Sequence, residues 1–173
     1  MVKAVFPGTF DPIHYGHIDI AVRAARLFDE LIIAVYDRPL KSLLFTPEER
    51  IDLVKRTFSN HSNIVVMGYN QLTVEFCRQN GAQVLVRGLR VFSDYEMEFR
   101  MALANHRLAP EIESIMLITN EEHTFLSSST VKEIAMLNGN VSSMVSRFVE
   151  KALQDRFSQL DSTQKFEGSS LRD

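Results

Sequence analysis

Near the start of the chain, His14 and His17 stand on either side of Gly16, directly after Pro7-Gly8-Thr9-Phe10-Asp11-Pro12. An apolar run, Val2-Lys3-Ala4-Val5-Phe6, precedes this stretch and an amphipathic pattern follows it. A strand that breaks at glycine and feeds a helix through hydroxyl and imidazole groups is a common grip for a nucleotide phosphate. The unpaired N–H groups of the helix start face the anion, and the helix dipole favours negative charge there. Folding alone requires neither histidine, so the pair points to work on a phosphate. No cysteine or carboxylate completes a metal-ligand set with them.

Other groups suited to phosphate recur along the chain, each just after an apolar run. Arg38 and Lys41 follow residues 31–36, and Asn70, Gln71 and Thr73 follow residues 63–67. Arg87-Gly88-Leu89-Arg90 closes residues 83–87, and Thr119 through His123 leads from residues 114–118 to Ser127-Ser128-Ser129-Thr130. With residues 2–6 these runs make five strands, nearly continuous in apolar character rather than alternating, as in a parallel sheet covered on both faces.

Helical patterns lie between the strands. Ile18, Ala21, Val22, Ala25 and Phe28 share one face. Thr46-Pro47-Glu48-Glu49 combines a capping hydroxyl, proline at the first helical position and glutamate at the third, and Thr130 to Glu133 reads as a second capping box. A short helix is expected over 72–80 and a longer one over 93–108, with Tyr95, Phe99 and Ala102 facing inward; Val145, Phe148, Val149, Ala152 and Leu153 mark the last. Alternating β and α elements predict a Rossmann-like, doubly wound α/β fold with a five-stranded parallel sheet and C-terminal helices. Ligands of such folds bind beyond the carboxyl ends of the strands, where strand order reverses. That rule gathers both histidines and the cationic side chains onto one rim, a polyphosphate site without a Walker loop.

Length and composition fit this picture. The 173 residues suffice for one domain, read as residues 1–157, followed by a polar tail over 158–173 without periodicity. A formal charge of −3 gives no global attraction to nucleic acid or anionic membrane. Cys77 is the single cysteine, which excludes an intrachain disulfide and fits a reducing compartment. The N-terminal apolar run is too short for a signal peptide, and no stretch reaches the ~18 apolar residues of a membrane span. The expectation is a cytoplasmic protein.

The first motif, Pro7 to Pro12 with His14-x-Gly16-His17, resembles the signature of the nucleotidyltransferase superfamily. Arg87-Gly88-Leu89-Arg90, then Asp94-Tyr95-Glu96-x-Glu98, then Ser127-Ser128-Ser129-x-Val131-Lys132 narrow the likeness to the phosphopantetheine adenylyltransferase family, over roughly residues 2–155. The resemblance implies a nucleotidyltransferase-type sheet and transfer of AMP from ATP to 4′-phosphopantetheine, giving dephospho-coenzyme A and pyrophosphate by direct in-line attack. It also implies a homohexamer, coenzyme A as a feedback inhibitor in the same pocket, and Mg2+ arriving with ATP and held by phosphate oxygens rather than in a protein cage.

Carried over by register, His17, Lys41 and Arg90 are the catalytic residues, with His17 donating to the α-phosphate. Thr9 meets phosphate of both substrates. The Phe10 backbone, Gly88, Leu89, Arg90, Glu98 and the stretch His123, Thr124, Phe125, Leu126, Ser127, Ser128 and Ser129 bind ATP. Lys41, Thr73 and Arg87 bind the acceptor. Three departures from the family pattern stand out: His123 replaces a frequent Tyr or Trp, Phe6 replaces a frequent Tyr, and Arg38 precedes Pro39 where Asn is common.

Plainer roles compete for several of these residues. His14 is balanced between phosphate contact and structural hydrogen bonding. Glu98 reads equally as an exposed helix residue or an arginine partner. Asp94 and Glu96 read as solvated or structural, and the methionines as core filler. At the level of function, rivals are a nicotinate-mononucleotide adenylyltransferase, a cytidylyltransferase, and a non-catalytic nucleotide or coenzyme A sensor on the same scaffold.

Overall fold

Each apolar run forms a strand. The computed structural model describes residues 1–37 and 43–169, with backbone alone at 92, 93 and 161–169. In chain order the elements are β1 (Lys3–Gly8), α1 (Tyr15–Ala25), β2 (Glu30–Tyr36), α2 (Pro47–Thr57), β3 (Ile64–Tyr69), α3 (Thr73–Gln79), β4 (Val84–Leu89), α4 (Phe92–Leu108), β5 (Glu113–Ile118), α5 (Ser128–Met136) and α6 (Arg147–Ser169), with a 3-10 turn at Glu121–His123. The sheet is parallel throughout, in the order β3-β2-β1-β4-β5. Strand order therefore reverses between β1 and β4, as a doubly wound fold requires.

Successive side chains of each strand point to opposite faces. Ala4, Phe6, Leu31, Ile33, Val35, Val84 and Val86 join the larger core beneath α1, α2, α5 and α6. Val5, Ile32, Ala34 and Leu85 join a smaller core with Val74, Phe76 and Cys77 of α3. Burial raises the Cys77 thiol to a pKa of about 11. The α1 stripe packs as expected, and the α2 capping box forms in both directions, Glu49 N to Thr46 Oγ1 at 3.3 Å and Thr46 N to Glu49 Oε2 at 2.8 Å.

Three expectations need correcting. α5 starts earlier than Thr130: Ser127 is its N-cap and accepts from Thr130 N at 3.0 Å, because the preceding serine already offers the capping oxygen. α4 turns Tyr95 and Phe99 outward, each 46 % exposed, since the small core on that face is filled by α3, Ala109 and Ile112. Met97, Met101 and Met136 are likewise exposed rather than core. The backbone of α6 runs as helix to Ser169, through a stretch free of proline.

The turn after β1 is tightly built. Phe10 adopts a left-handed φ of 50° and is 2 % exposed. Its ring lies where a Cβ on Gly8 would approach to 2.8 Å. Gly8→Ala is therefore expected to destabilise the chain by about 1–3 kcal/mol through overpacking, measured as a lower urea midpoint with unchanged m. A midpoint equal to wild type would show that the turn has room to give.

Candidate active site

A cavity of about 480 Å3 opens at the carboxyl ends of the strands. Phe6, Pro7 and Gly8 line it from β1, with Thr9 just beyond, Tyr36 from β2, Tyr69 from β3, and Arg87 and Gly88 from β4. This is the crevice that the reversal of strand order creates. The bridge pairs between β1 and β4 are Ala4↔Val84 and Val5↔Leu85, whereas β1 and β2 pair from Lys3↔Glu30 through to Gly8↔Val35. Beyond Val5 the β1–β4 seam is open, and the cavity lies along it.

At the start of α1, the backbone N–H of His14 donates to His17 Nδ1 at 3.3 Å. That bond makes Nδ1 the acceptor, so the neutral His17 ring carries its proton on Nε2. His14 stacks on His17 with ring centroids 3.7 Å apart and is only 3 % exposed. Its Nδ1 is buried without a hydrogen-bond partner. Burial, reinforced by the positive charge of Arg90 and by His123, holds its pKa down at about 3. His14 is thus a neutral ring, and the stack adds no cation beside His17.

The two arginines are already oriented. Arg87 grips Glu98 with both sides of its fork, Nε to Oε2 at 2.7 Å and Nη2 to Oε1 at 2.6 Å, and Nη1 reaches the Pro7 carbonyl at 3.2 Å across the open seam. Arg90 holds Asp94 through Nε at 3.1 Å and Nη2 at 3.3 Å, while Nη1 donates to the Leu126 carbonyl at 2.7 Å. Burial pushes the Asp94 carboxyl up, but hydrogen bonds and charge from Arg90 outweigh it and leave the pKa below the usual carboxylate range. A guanidinium has five N–H groups, so each arginine retains donors for an anion while its plane is fixed. Both carboxylates come from α4. Opposite them, Ser127, Ser128 and Ser129 line the cavity at the start of α5, where backbone N–H groups suit a phosphate.

Of the residues singled out in the sequence, Thr9, His17, Arg87, Gly88, Arg90, Glu98 and Ser127 to Ser129 line this one cavity. Thr73 lines a small adjoining cavity of about 80 Å3 together with Arg87 and Glu98. Phe10 and Leu126 are buried outside the cavity lining, at 2 % and 0 % exposure, and Phe125 is exposed. Leu89 and Thr124 are not among the lining residues either. His123 sits beside the histidine turn, 6.3 Å from the Tyr15 ring. Lys41, with Arg38 and Pro39, lies outside the described residues.

Sequence reasoning passed over Tyr36, Tyr69 and Met97 and gave Asp94 no site role, yet all four line the cavity, as does Thr119 just beyond the end of β5. Position after a strand could have found Tyr36 and Tyr69. The four-residue spacing of Arg90 and Asp94 could have found that ion pair.

A family model for cytidylyltransferase-like proteins matches residues 5–134. Among curated proteins, the phosphopantetheine adenylyltransferase of Carboxydothermus hydrogenoformans is 48% identical over 154 residues, 89% of this chain and 95% of that protein. The one from Gloeobacter violaceus is 49% identical, over 89% of this chain and 96% of that protein. The chain belongs to the phosphopantetheine adenylyltransferase family. Its fold is shared more widely: a solved structure from Vibrio parahaemolyticus, described as a nicotinate-nucleotide adenylyltransferase, aligns with TM-score 0.66 at 17% identity, covering 89% of this chain and 99% of that one. As a member of the phosphopantetheine adenylyltransferase family the chain is a nucleotidyltransferase.

The buried His14 sets a pH dependence. Above its unfolded value of 6.5 neither state binds the proton and its contribution is full. As pH falls below 6.5 the unfolded chain takes a proton that the folded chain refuses until about 3. Stability then declines by up to about 1.4 kcal/mol per pH unit from this group. Urea unfolding from pH 7 to pH 4.5 is expected to fall more steeply for wild type than for His14→Asn; parallel slopes would mean that His14 is protonated in the native state.

Proposed function

We propose that this chain transfers AMP from ATP to 4′-phosphopantetheine, releasing pyrophosphate and forming dephospho-coenzyme A. One observation carries the reading: His17, Arg87 and Arg90, far apart in sequence, line a single cavity with Thr9 and the serine start of α5. The names of relatives at 48% and 49% identity supply the acceptor.

The chemistry is attack by the acceptor phosphate on the α-phosphorus of ATP, in line with departing pyrophosphate. No protein nucleophile takes part, and Cys77, the single thiol, is buried in α3. The protein's work is to hold two anions together and to stabilise charge that grows on the α-phosphoryl oxygens. His17 Nε2–H is the donor at that oxygen. Arg90, Gly88, Leu89 and the 123–129 stretch hold the triphosphate side, with Glu98 and the Phe10 backbone on the nucleotide. Arg87 and Thr73 hold the acceptor, joined by Lys41 through sequence register, and Thr9 meets phosphate of both substrates. Prior pairing to Glu98 and Asp94 aims both guanidinium groups before a substrate arrives.

Mg2+ enters with ATP. Among the described residues no three His, Cys, Asp or Glu side chains gather into a metal site, and the carboxylates that line the cavity are engaged by arginine. Mg2+ bound to ATP would neutralise triphosphate charge, held, as the family resemblance implies, by the nucleotide rather than by a protein cage.

Assembly as a homohexamer follows the family pattern. The exposed apolar residues of α4, Tyr95 and Phe99 at 46 %, Met101 at 52 % and Leu103 at 56 %, support a buried interface there. Coenzyme A, which contains the acceptor's own skeleton, fits the same cavity as a feedback inhibitor. A cytoplasmic location accords with this role, and no helix among the described residues is long and apolar enough to cross a membrane.

Pyrophosphate release is expected with ATP, Mg2+ and 4′-phosphopantetheine, and not with nicotinate mononucleotide or CTP-dependent acceptors. Release with another acceptor only, or with none, would replace this reading by a sister transferase or a sensor. His17→Ala is expected to lower kcat by about 10²–10³-fold, the typical cost of one well-aimed donor, with ATP affinity by calorimetry retained. Turnover near wild type removes His17 from the mechanism. Sedimentation is expected to show a hexamer that Phe99→Asp breaks into smaller species; a monomeric wild type would refute the assembly.

A further inference from the structure

Two buried charges behind the cavity have no role in the chemistry above. Arg50, in the first turn of α2, is 0 % exposed, and Asp11, in the turn after β1, is 1 % exposed. Taking a guanidinium or a carboxylate out of water is costly, and apolar residues of similar size are often at least as stabilising. What such groups supply in return is fixed geometry, and their partners show where.

Arg50 Nη1 donates to the carbonyl of Thr9 at 2.8 Å and to that of Tyr36 at 2.7 Å, and Nη2 reaches the Asp37 carbonyl at 3.3 Å. The last backbone pair between β1 and β2 is Gly8↔Val35. Thr9 and Tyr36 are the next residues on each strand, and both line the cavity. One side-chain nitrogen thus continues the ladder a step past its end, holding two cavity-lining residues at a set separation. Asp11 completes the fastening from the other side. Its Oδ1 accepts from Phe45 N at 2.9 Å, and its Oδ2 from Leu44 N at 3.0 Å and from Lys132 Nζ at 2.7 Å. The turn that carries Thr9 is therefore bound to the end of β2, to the approach to α2 and to α5 by charge-assisted hydrogen bonds.

We propose that Arg50 and Asp11 are positioning residues that fix the cavity wall presenting Thr9 to the substrate phosphates, acting through Thr9, Tyr36 and the Leu44–Phe45 amides. The proposal rests on the adenylyltransferase reading, in which Thr9 meets phosphate of both substrates. Arg50→Lys keeps the charge but cannot bridge two carbonyls and a third with one rigid fork. Asp11→Asn keeps the shape but puts an amide where a charged acceptor stood.

The test is steady-state kinetics of wild type, Arg50→Lys and Asp11→Asn, with each substrate varied in turn. The expected result is a KM raised about tenfold or more for 4′-phosphopantetheine and for ATP alike in both variants, since Thr9 meets phosphate of both substrates and binding is sensitive to small misplacements. A KM for either substrate within about twofold of wild type would overturn it. Amide exchange on the wild-type chain tests the anchors without relying on either variant folding. Leu44 and Phe45 N–H groups should exchange as slowly as those of the sheet, and exchange at free-peptide rates would overturn the proposal. A wild-type chain that releases no pyrophosphate with 4′-phosphopantetheine refutes the adenylyltransferase reading and, with it, the substrate-positioning role assigned to these anchors.

Discussion

The incomplete pairing of β1 with β4 is the constraint on which the site depends. β1 is the central strand, and its ladder to β2 runs its whole length while the bridge pairs to β4 end at Val5↔Leu85. A parallel sheet whose crossovers leave a central strand in both directions has nothing to cover the gap between its two halves. Here the gap is crossed by a side chain, the Arg87 bond to the Pro7 carbonyl. Gly8 and Gly88 face the same gap, and a Cβ on Gly88 would come to 3.1 Å from Ile20 of α1, so the backbone is packed as closely as glycine permits. The crevice is thus a product of topology, and the chemistry is placed by which residues occupy the first positions after each strand.

Electrostatics in the crevice is arranged around paired rather than bare cations. Arg87 and Arg90 each hold a carboxylate from α4, four residues apart on that helix, so both guanidinium planes are fixed from one element. Pairing lowers the attraction for an incoming anion but removes the entropy of orienting two long side chains, which preorganised sites exploit. His14 follows the same logic by staying neutral against His17. The same α4 presents Tyr95 and Phe99 stacked on its outer surface at 5.7 Å between ring centroids.

Much of this was legible in the sequence. The strands showed as continuous apolar runs because buried parallel strands have no polar face, and the α2 start showed in Thr46-Pro47-x-Glu49 because its capping chemistry is local. His17, Arg87 and Arg90 were found because the strand-end rule is topological and needs no coordinates. What stayed hidden depended on three-dimensional competition. The apolar stripe of α4 gave no sign of which surface it meets, since α3 had already filled the core on its side. Asp94 resembled any exposed helix acid until Arg90 was seen across one turn. Arg50 sits within a stretch of ordinary charged helix, Glu48-Glu49-Arg50, and nothing in its neighbours announces that it points into the protein.

The burial of Cys77 has a practical corollary. Burial raises the thiol pKa to about 11 and leaves it no surface exposure, so the thiolate is scarce at neutral pH and screened from reagents. Thiol-directed reagents therefore find no accessible native target. A cysteine introduced on the rim of the crevice would be the sole reactive sulfur, so a dye or spin label could be installed there without first removing the natural one.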